Sequence, residues 1–231
     1  MLRKLLAGWK QDSLVKSAFD DTNEMMRKAQ RMFDAVADFF LREVPIDFDL
    51  YTVDKEINRL EIVVRRKVLE HLSINPRQEL IFSLVLTTII NDIERIGDYS
   101  KNIYELGGMY RLDHTPPEYH ATIATLTETV QRMFETSIVA FDGEDMEKAE
   151  QVMVDHGEVN RACEKMIRDL GGDTEIHTKN AVSLVLYVRY LKRVSAHLAN
   201  VMSSVIKPFD RIGFFREQMI DGKKVEEEIE G

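Results

Sequence analysis

Three short sequence motifs occur twice in this chain, in the same order and about 100 residues apart. The first copies are Gln30-Arg31-Met32-Phe33, Glu56-Ile57-Asn58-Arg59 and the segment from Glu94 to Ile103. The second copies are Gln131-Arg132-Met133-Phe134, Glu158-Val159-Asn160-Arg161 and the segment from Lys192 to Val201, at shifts of 101, 102 and 98 residues. Three collinear matches at a nearly constant shift indicate that one unit has been duplicated. The fold must therefore consist of two related halves.

All five prolines lie between segments in which apolar residues recur with the period of an amphipathic helix. Proline breaks a helix from within, so long helices require this placement. No alternating apolar and polar run bounded by turn residues competes with this pattern, so we predict no sheet. The predicted helices cover approximately residues 12–43, 50–72, 76–107, 118–141, 145–170 and 178–206.

The start and the end of the third helix are predicted from their flanking residues. Asn75 is expected to accept a backbone hydrogen bond as the N-cap, with Pro76 at the first helical position. Gly107 and Gly108 are expected to end the helix. The resulting helix of about 31 residues is roughly 45 Å long and needs partners of similar length.

These elements predict an all-α protein made of two tandem antiparallel three-helix bundles, because short loops join consecutive long helices. Residues 12–110 form the first repeat and residues 117–207 form the second. Residues 1–11 are predicted to be an N-terminal extension, and residues 208–231 a C-terminal tail with a short helix around residues 214–219.

The N-terminal extension combines leucines and Trp9 with the basic residues Arg3 and Lys4. Its apolar run is too short for the core of a signal peptide. A basic amphipathic stretch can touch a membrane surface, but we expect this one to pack on the protein or to be mobile.

Charge and cysteine content exclude several classes of protein. The chain has 40 acidic and 31 basic residues and a net charge of -9, which argues against nonspecific binding to nucleic acid. Its single cysteine, Cys163, rules out an intrachain disulfide and suits a reducing cytosol. The longest apolar stretches fall short of the roughly 18 residues that a membrane span needs. We therefore expect a cytoplasmic protein.

The third predicted helix carries a charged segment in the middle of its apolar stripe. Helical spacing places a set of polar residues on one side, namely Asn91, Glu94, Asp98, Lys101 and Asn102. The two carboxylates lie one turn apart and repel each other unless a cation lies over them. Gly97 costs the helix about 1 kcal/mol relative to alanine, and such a glycine usually remains where another backbone or a ligand comes close. The segment is therefore a candidate metal or partner site, and the alternative is a solvated face with local ion pairs.

This charged segment resembles the motif of the PhoU family of phosphate-uptake regulators. The likeness rests on Glu-Arg-Ile-Gly-Asp-Tyr at residues 94–99 with Asn102 and Ile103, and it extends over about residues 14–206. The resemblance implies a non-enzymatic adaptor between the ATPase of a phosphate ABC transporter and a membrane sensor histidine kinase. Such a protein represses the phosphate-starvation response when phosphate is plentiful. The resemblance implies that the protein associates with the membrane only through these partners. It also allows the protein to form a homodimer.

The resemblance also implies a divalent or iron-type metal bound through acidic motifs. The motif positions of the first repeat are Asp54, Asn58, Glu94 and Asp98. The corresponding positions of the second repeat are His156, Asn160, Lys192 and Ala196. Further motif residues, expected to be structural, are Arg95, Gly97, Asn102, Arg193 and Asn200. A lysine placed in an acidic cluster supplies the positive charge that a metal otherwise provides. We therefore expect at most one metal site, in the first repeat, and a metal-free face in the second.

Two alternatives stay open at this point. One is an accessory protein of a simpler phosphate permease, and the other is a metal-dependent enzyme or metal store built on a helical bundle. A di-iron enzyme needs Glu-x-x-His pairs, which the sequence lacks. It also lacks a Gly-rich phosphate loop and a nucleophile elbow. The resemblance to the PhoU family implies that the protein is not an enzyme.

Overall fold

The computed structural model of the chain describes residues 14–77, 79–110 and 115–213, which form six long α-helices. The helices are α1 (Leu14–Arg42), α2 (Leu50–Ile74), α3 (Leu80–Met109), α4 (Pro117–Gly143), α5 (Met146–Gly172) and α6 (Thr178–Ile206), followed by a 3-10 helix at Phe209–Arg211. The described residues contain no β-strand, so the predicted all-α class is confirmed. The extension predicted at residues 1–11 and the short helix predicted at 214–219 lie outside the described residues.

Each half of the molecule is a three-helix bundle in which consecutive helices run antiparallel. In the first half, Lys67 donates to Ser17 at 2.7 Å, and Lys28 pairs with Glu56 at 2.7 Å. These contacts join the end of α2 to the start of α1, and the start of α2 to the middle of α1. The same order holds for α5 and α6, whose polar contacts are described below.

Side chains at the helix ends explain why several helices begin where they do. Asp49 precedes α2 and accepts a hydrogen bond from the Tyr51 N–H at 3.1 Å. Asp145 precedes α5 and accepts one from the Lys148 N–H at 3.1 Å. Pro117 occupies the first turn of α4, where the missing N–H of proline costs the helix nothing.

The turn between α2 and α3 differs from the prediction. Asn75 caps the C-terminus of α2, since its N–H donates to the His71 carbonyl at 2.8 Å. Pro76 lies in the turn, and Glu79 has a left-handed φ of 55° before α3 begins at Leu80. The prediction of Asn75 as N-cap and Pro76 as first residue of α3 is therefore wrong. Asparagine suits both kinds of cap, and the local sequence does not show which helix it will close.

The predicted end of α3 at Gly107 and Gly108 is also wrong, because the helix continues through both glycines to Met109. A Cβ atom added at Gly107 would lie 2.8 Å from Cε1 of Phe39, whereas nothing lies within 4 Å of one added at Gly108. The first glycine therefore lets the Phe39 ring of α1 approach the backbone of α3.

These neighbouring glycines give a matched pair of substitutions. Gly108→Ala should raise the free energy of unfolding by up to about 1 kcal/mol, because alanine is the better helix former and meets no neighbour. Gly107→Ala should be less stable than Gly108→Ala by about 1–3 kcal/mol, since the new methyl group displaces Phe39. Urea unfolding followed by circular dichroism measures both values. Equal stability of the two variants would contradict the close approach.

The two halves meet through equivalent helices, with α1 packed on α4 and α3 on α6. We call this contact the inter-repeat interface. Phe33 packs on Phe134 with 5.4 Å between ring centroids, and Tyr99 stacks on His197 at 5.7 Å. Each pair joins the same motif position of the two copies, so the halves are arranged about an approximate two-fold axis. One hydrophobic core, with buried residues from all six helices, spans both halves.

Candidate functional site

The first copy of the charged motif lies on α3 where this helix faces α2. Ile93 and Ile96 are completely buried in the core and fix the rotation of the helix. The Lys101 Nζ atom lies between two carboxylates, 2.9 Å from Oδ2 of Asp54 on α2 and 2.9 Å from Oδ1 of Asp98 on α3. Asp54 is buried, so the ammonium group compensates a carboxylate that has lost most of its water.

Lys101 remains charged in this position. Burial alone would lower the pKa of its ammonium group, but the hydrogen bonds to Asp54 and Asp98 outweigh that effect and raise the pKa above its usual value. A cation is thus held among the acidic side chains of the first repeat by the chain itself.

Glu94 lies next to this arrangement and has a different environment. Burial raises the pKa of its carboxyl group, and the nearby carboxylates of Asp98 and Glu61 raise it further. The exposed Arg95 lies 3.8 Å from Glu94 and 3.6 Å from Asp98, and it opposes the rise for Glu94. Of the predicted ligands, Glu94 therefore carries the carboxylate least compensated by positive charge.

Two neutral residues of the predicted site also lie between α2 and α3. The Oδ1 atom of Asn58 is buried and has no hydrogen-bond partner among the described residues. A Cβ atom added at Gly97 would lie 3.6 Å from Cδ1 of Ile57 and 3.7 Å from Oδ1 of Asp54, which is ordinary van der Waals contact. Gly97 therefore faces the side chains of α2 rather than another backbone. Asn102 is partly buried on the same helix.

The side chains of the first repeat fit a metal ion only in part. Carboxylate and amide oxygens are suitable ligands for hard cations, and the unpartnered Asn58 oxygen is such a donor. However, the described residues contain no group of three or more His, Cys, Asp or Glu side chains placed to hold a metal. Lys101 separates Asp54 from Asp98, so these two carboxylates do not converge on a shared ion.

The second copy of the motif forms a different set of contacts. Lys192 pairs with the exposed Glu164 of α5 at 2.7 Å, and the Nδ1 atom of His156 lies 3.0 Å from Oγ of Ser195. Burial lowers the pKa of His156 to about 4, and the charge of Lys192 lowers it as well, so the imidazole is neutral at pH 7. Lys192 thus pairs with a surface glutamate, whereas the lysine held among carboxylates is Lys101 of the first repeat. The remaining motif positions are the partly buried Asn160 and Ala196 and the exposed Arg193.

The motif copies also contribute to a polar network at the inter-repeat interface. Oδ1 of Asp92 on α3 lies 2.7 Å from Nδ1 of His197 and accepts a hydrogen bond from Asn200 at 2.9 Å. Tyr99 stacks on His197 and also packs on Tyr190, with 6.0 Å between the tyrosine ring centroids. Sequence reasoning missed Asp92. The repeat shift of 98 residues could have indicated it. Under that shift Asp92 corresponds to Tyr190 and Tyr99 corresponds to His197, so the Asp92–His197 contact and the Tyr190–Tyr99 contact occupy equivalent places in the two halves.

A second group of carboxylates lies where α1 meets α4. Oδ1 of Asp34 is buried without a hydrogen-bond partner among the described residues. Burial raises the pKa of Asp34 to about 6, the hydrogen bond with Gln131 opposes the rise, and Glu135 and Asp38 add to it. Glu135 occupies the position of α4 that corresponds to Asp34 in the repeat. Like charges therefore face each other at the inter-repeat interface.

This carboxyl group predicts a pH dependence of stability. Its pKa is about 6 in the folded chain against an ordinary value of 3.8 for an aspartate carboxyl group, so the folded state binds the proton more tightly. The contribution of Asp34 to stability is therefore greatest below about pH 4 and decreases as the pH rises to 6. Asp34→Asn should be more stable than the parent chain by about 1–2 kcal/mol at pH 7.5, after allowance for solvent screening.

Urea unfolding at pH 4 and pH 7.5 measures this effect, with Glu128→Gln on the exposed face of α4 as the control. The advantage of Asp34→Asn should shrink at pH 4. An advantage of the same size at both pH values would show that charge at Asp34 is not its cause.

The fold and the site define a class of protein: an all-helical tandem repeat whose two motif copies both contribute to the interface between the halves. Comparison with known proteins identifies the family. Residues 22–107 and 123–205, which together make up more than half of the chain, match the PhoU domain. The chain belongs to the PhoU family.

Individual relatives agree with this assignment. The chain is 25% identical, over 158 residues, to a Synechocystis protein described as a phosphate-specific transport system accessory protein PhoU homolog; the match covers 66% of this chain and 70% of that protein. The fold is similar to PhoU from Pseudomonas aeruginosa, with a TM-score of 0.63, 17% identity and coverage of 89% of this chain and 95% of that one. It is also similar to the phosphate transport system regulatory protein PhoU from Streptococcus pneumoniae, with a TM-score of 0.66, 15% identity and coverage of 84% and 91%.

Among the described residues, no helix is both long enough and apolar enough to span a membrane.

Proposed function

We propose that this protein is a non-enzymatic regulator of phosphate uptake and of phosphate-starvation signalling in the cytoplasm. It acts as an adaptor between the ATPase of a phosphate ABC transporter and a sensor histidine kinase. The observation that carries the proposal is the match of both halves of the chain to the PhoU domain. The name of the Synechocystis relative, an accessory protein of a phosphate-specific transport system, supports the same role.

The charge of the chain suits such a role. A net charge of -9 favours contact with basic protein surfaces, and electrostatic attraction between partners increases the rate of association. Long helices that share one core also offer rigid exposed faces on both repeats, which allow two partners to be held at a fixed distance.

A pull-down from host extracts tests the adaptor role. The tagged chain should retain the ATPase subunit of the phosphate transporter, the sensor kinase or both, and the amount retained should change between phosphate-rich and phosphate-starved cells. A tagged helical protein of similar charge from another family serves as the control. Retention of neither partner at any phosphate level would remove the main support for the adaptor.

We propose further that a divalent or iron-type cation binds on the first repeat through Glu94, Asp98, Asp54 and Asn58 when Lys101 moves aside. The raised pKa of Glu94 and the unpartnered oxygen of Asn58 support this proposal, because a cation would relieve both. Metal analysis of the purified parent chain, Glu94→Ala and Asp98→Ala tests it, with Glu164→Ala in the second repeat as the control. Equal metal content in all four proteins would show that the site is wrongly assigned.

The second repeat offers a gain-of-function prediction. Lys192→Glu combined with Ala196→Asp restores the acidic pair next to the neutral imidazole of His156. The position that corresponds to Lys101 is Ala199, so the second repeat has no equivalent of the lysine that pairs with the carboxylates of the first. The double variant should bind about one additional equivalent of Zn²⁺ or Mn²⁺ by calorimetry, since imidazole and carboxylate suit both ions. Binding identical to that of the parent chain would contradict the equivalence of the two motif copies.

A further inference from the structure

An open groove of about 530 Å³ lies between the end of α4 and the start of α5. Its lining residues are Glu135, Thr136, Val139, Glu147, Lys148 and Gln151. Val139 is 54% exposed, and Met146, which begins α5, is 48% exposed. The groove therefore has the exposed apolar side chain of Val139 within a polar rim, and the exposed Met146 directly precedes the lining residue Glu147. An exposed apolar side chain inside a polar rim is typical of a contact surface.

We propose that residues 1–13 of the same chain occupy this groove. The apolar residues of this segment are Leu2, Leu5, Leu6 and Trp9, at positions i, i+3, i+4 and i+7. This spacing is that of one face of an amphipathic helix, which binds grooves through its apolar stripe. In the proposed complex the stripe covers Val139 and Met146.

The charges of the segment complement those of the groove. The segment contains three basic residues and one acidic residue, in the order Arg3, Lys4, Lys10 and Asp12. The groove presents the carboxylates of Glu135 and Glu147, and its lysine, Lys148, already pairs with Asp145. Asp142 at the end of α4 adds an exposed carboxylate. A basic amphipathic segment is therefore the kind of occupant that this groove attracts.

The described part of the chain begins at the end of the bundle that carries the groove. Near the start of α1, Phe19 packs on Phe141 with 5.1 Å between ring centroids, and Nδ2 of Asn23 lies 3.3 Å from Oδ1 of Asp142. Leu14 lies five residues before Phe19, or about 7.5 Å along the helix axis. Residues 1–13 therefore join α1 at the end of the bundle where α4 ends and α5 begins, which is the end that carries the groove.

Trp9 is the only tryptophan of the chain, so its fluorescence reports on the segment directly. In the native full-length protein, its emission should lie at shorter wavelength than in the urea-unfolded chain, and iodide should quench it less. Val139→Asn should shift the emission towards that of the unfolded chain and increase the quenching. Glu147→Lys should likewise shift the Trp9 emission towards that of the unfolded chain and increase the quenching by iodide. High salt should reduce the difference between this variant and the parent chain, because it screens the charges.

The matched control is Val154→Asn. Val154 lies on α5 and, like Val139 on α4, has an exposed side chain, at 57%, but it does not line the groove. This variant should leave the emission unchanged, and circular dichroism should show the same helix content in all variants. The proposal is overturned if native and unfolded emission coincide, or if Val139→Asn has no more effect than Val154→Asn. It is also overturned if the emission shifts to shorter wavelength only when phosphatidylserine vesicles are added, since the segment would then bind membranes instead.

Discussion

Tyr187→Ala should lower the free energy of unfolding by about 3–5 kcal/mol, the range for removing a large buried aromatic side chain. Tyr187 is completely buried on α6 and stacks on Phe40 of α1, with 4.1 Å between ring centroids and an interplanar angle of 8°. Its hydroxyl group lies 2.8 Å from Oγ1 of Thr127 on α4. One side chain thus joins three helices across the inter-repeat interface.

The hydroxyl contribution can be separated from the packing contribution. Thr127 already donates its proton to the Ile123 carbonyl at 2.7 Å, so the Tyr187 hydroxyl must donate to Thr127. Tyr187→Phe removes this hydrogen bond but keeps the ring, and it should cost only about 1 kcal/mol. Urea unfolding of both variants measures the two values. A loss below 1 kcal/mol for Tyr187→Ala would show that the halves do not depend on this contact.

Lys101→Met should lower the free energy of unfolding by about 1–3 kcal/mol in the absence of metal ions. The substitution keeps most of the apolar stem but removes the cation between Asp54 and Asp98, and it leaves a buried carboxylate without compensation. The loss is smaller than for a fully buried pair, because the lysine side chain is 21% exposed. Urea unfolding in the presence of a chelator measures this loss.

Divalent ions should then restore stability to Lys101→Met more than to the parent chain, because a ligand that binds only the folded state stabilises it. The matched control is Lys192→Met, whose lysine pairs with the exposed Glu164 and should contribute at most about 1 kcal/mol. Equal losses for the two lysine variants would contradict the difference between the repeats. An equal effect of Mn²⁺ on the parent chain and Lys101→Met would show that Lys101 and the metal do not compete.

The sequence was sufficient to predict the helical class, the number of long helices and the pairing of the two repeats. Prolines and helical periodicity determine helix position through neighbouring residues of the sequence, so they can be read without the fold. The bounds of α6 (Thr178–Ile206) agree with the predicted bounds to the residue. Asn75 marks where local reasoning fails. It is a suitable cap for either helix, and in the structure its N–H donates to the His71 carbonyl of α2.

The candidate site was less accessible to sequence reasoning because its contacts join different helices. The spacing of Asp98 and Lys101 on α3 was visible, but the approach of Asp54 from α2 depends on how the helices pack. The same holds for Lys192. Its partner Glu164 lies on α5 eight residues after His156, the motif position that the resemblance assigned to that helix. Motif positions can be carried from one repeat to the other, but side-chain partners cannot.

The role in phosphate regulation is tested most directly by a phosphate-regulated reporter gene in a host strain that lacks this protein. The proposed function predicts constitutive expression of the reporter at high phosphate, and a return to repression when the parent chain is supplied from a plasmid. Normal repression in the deletion strain would contradict it.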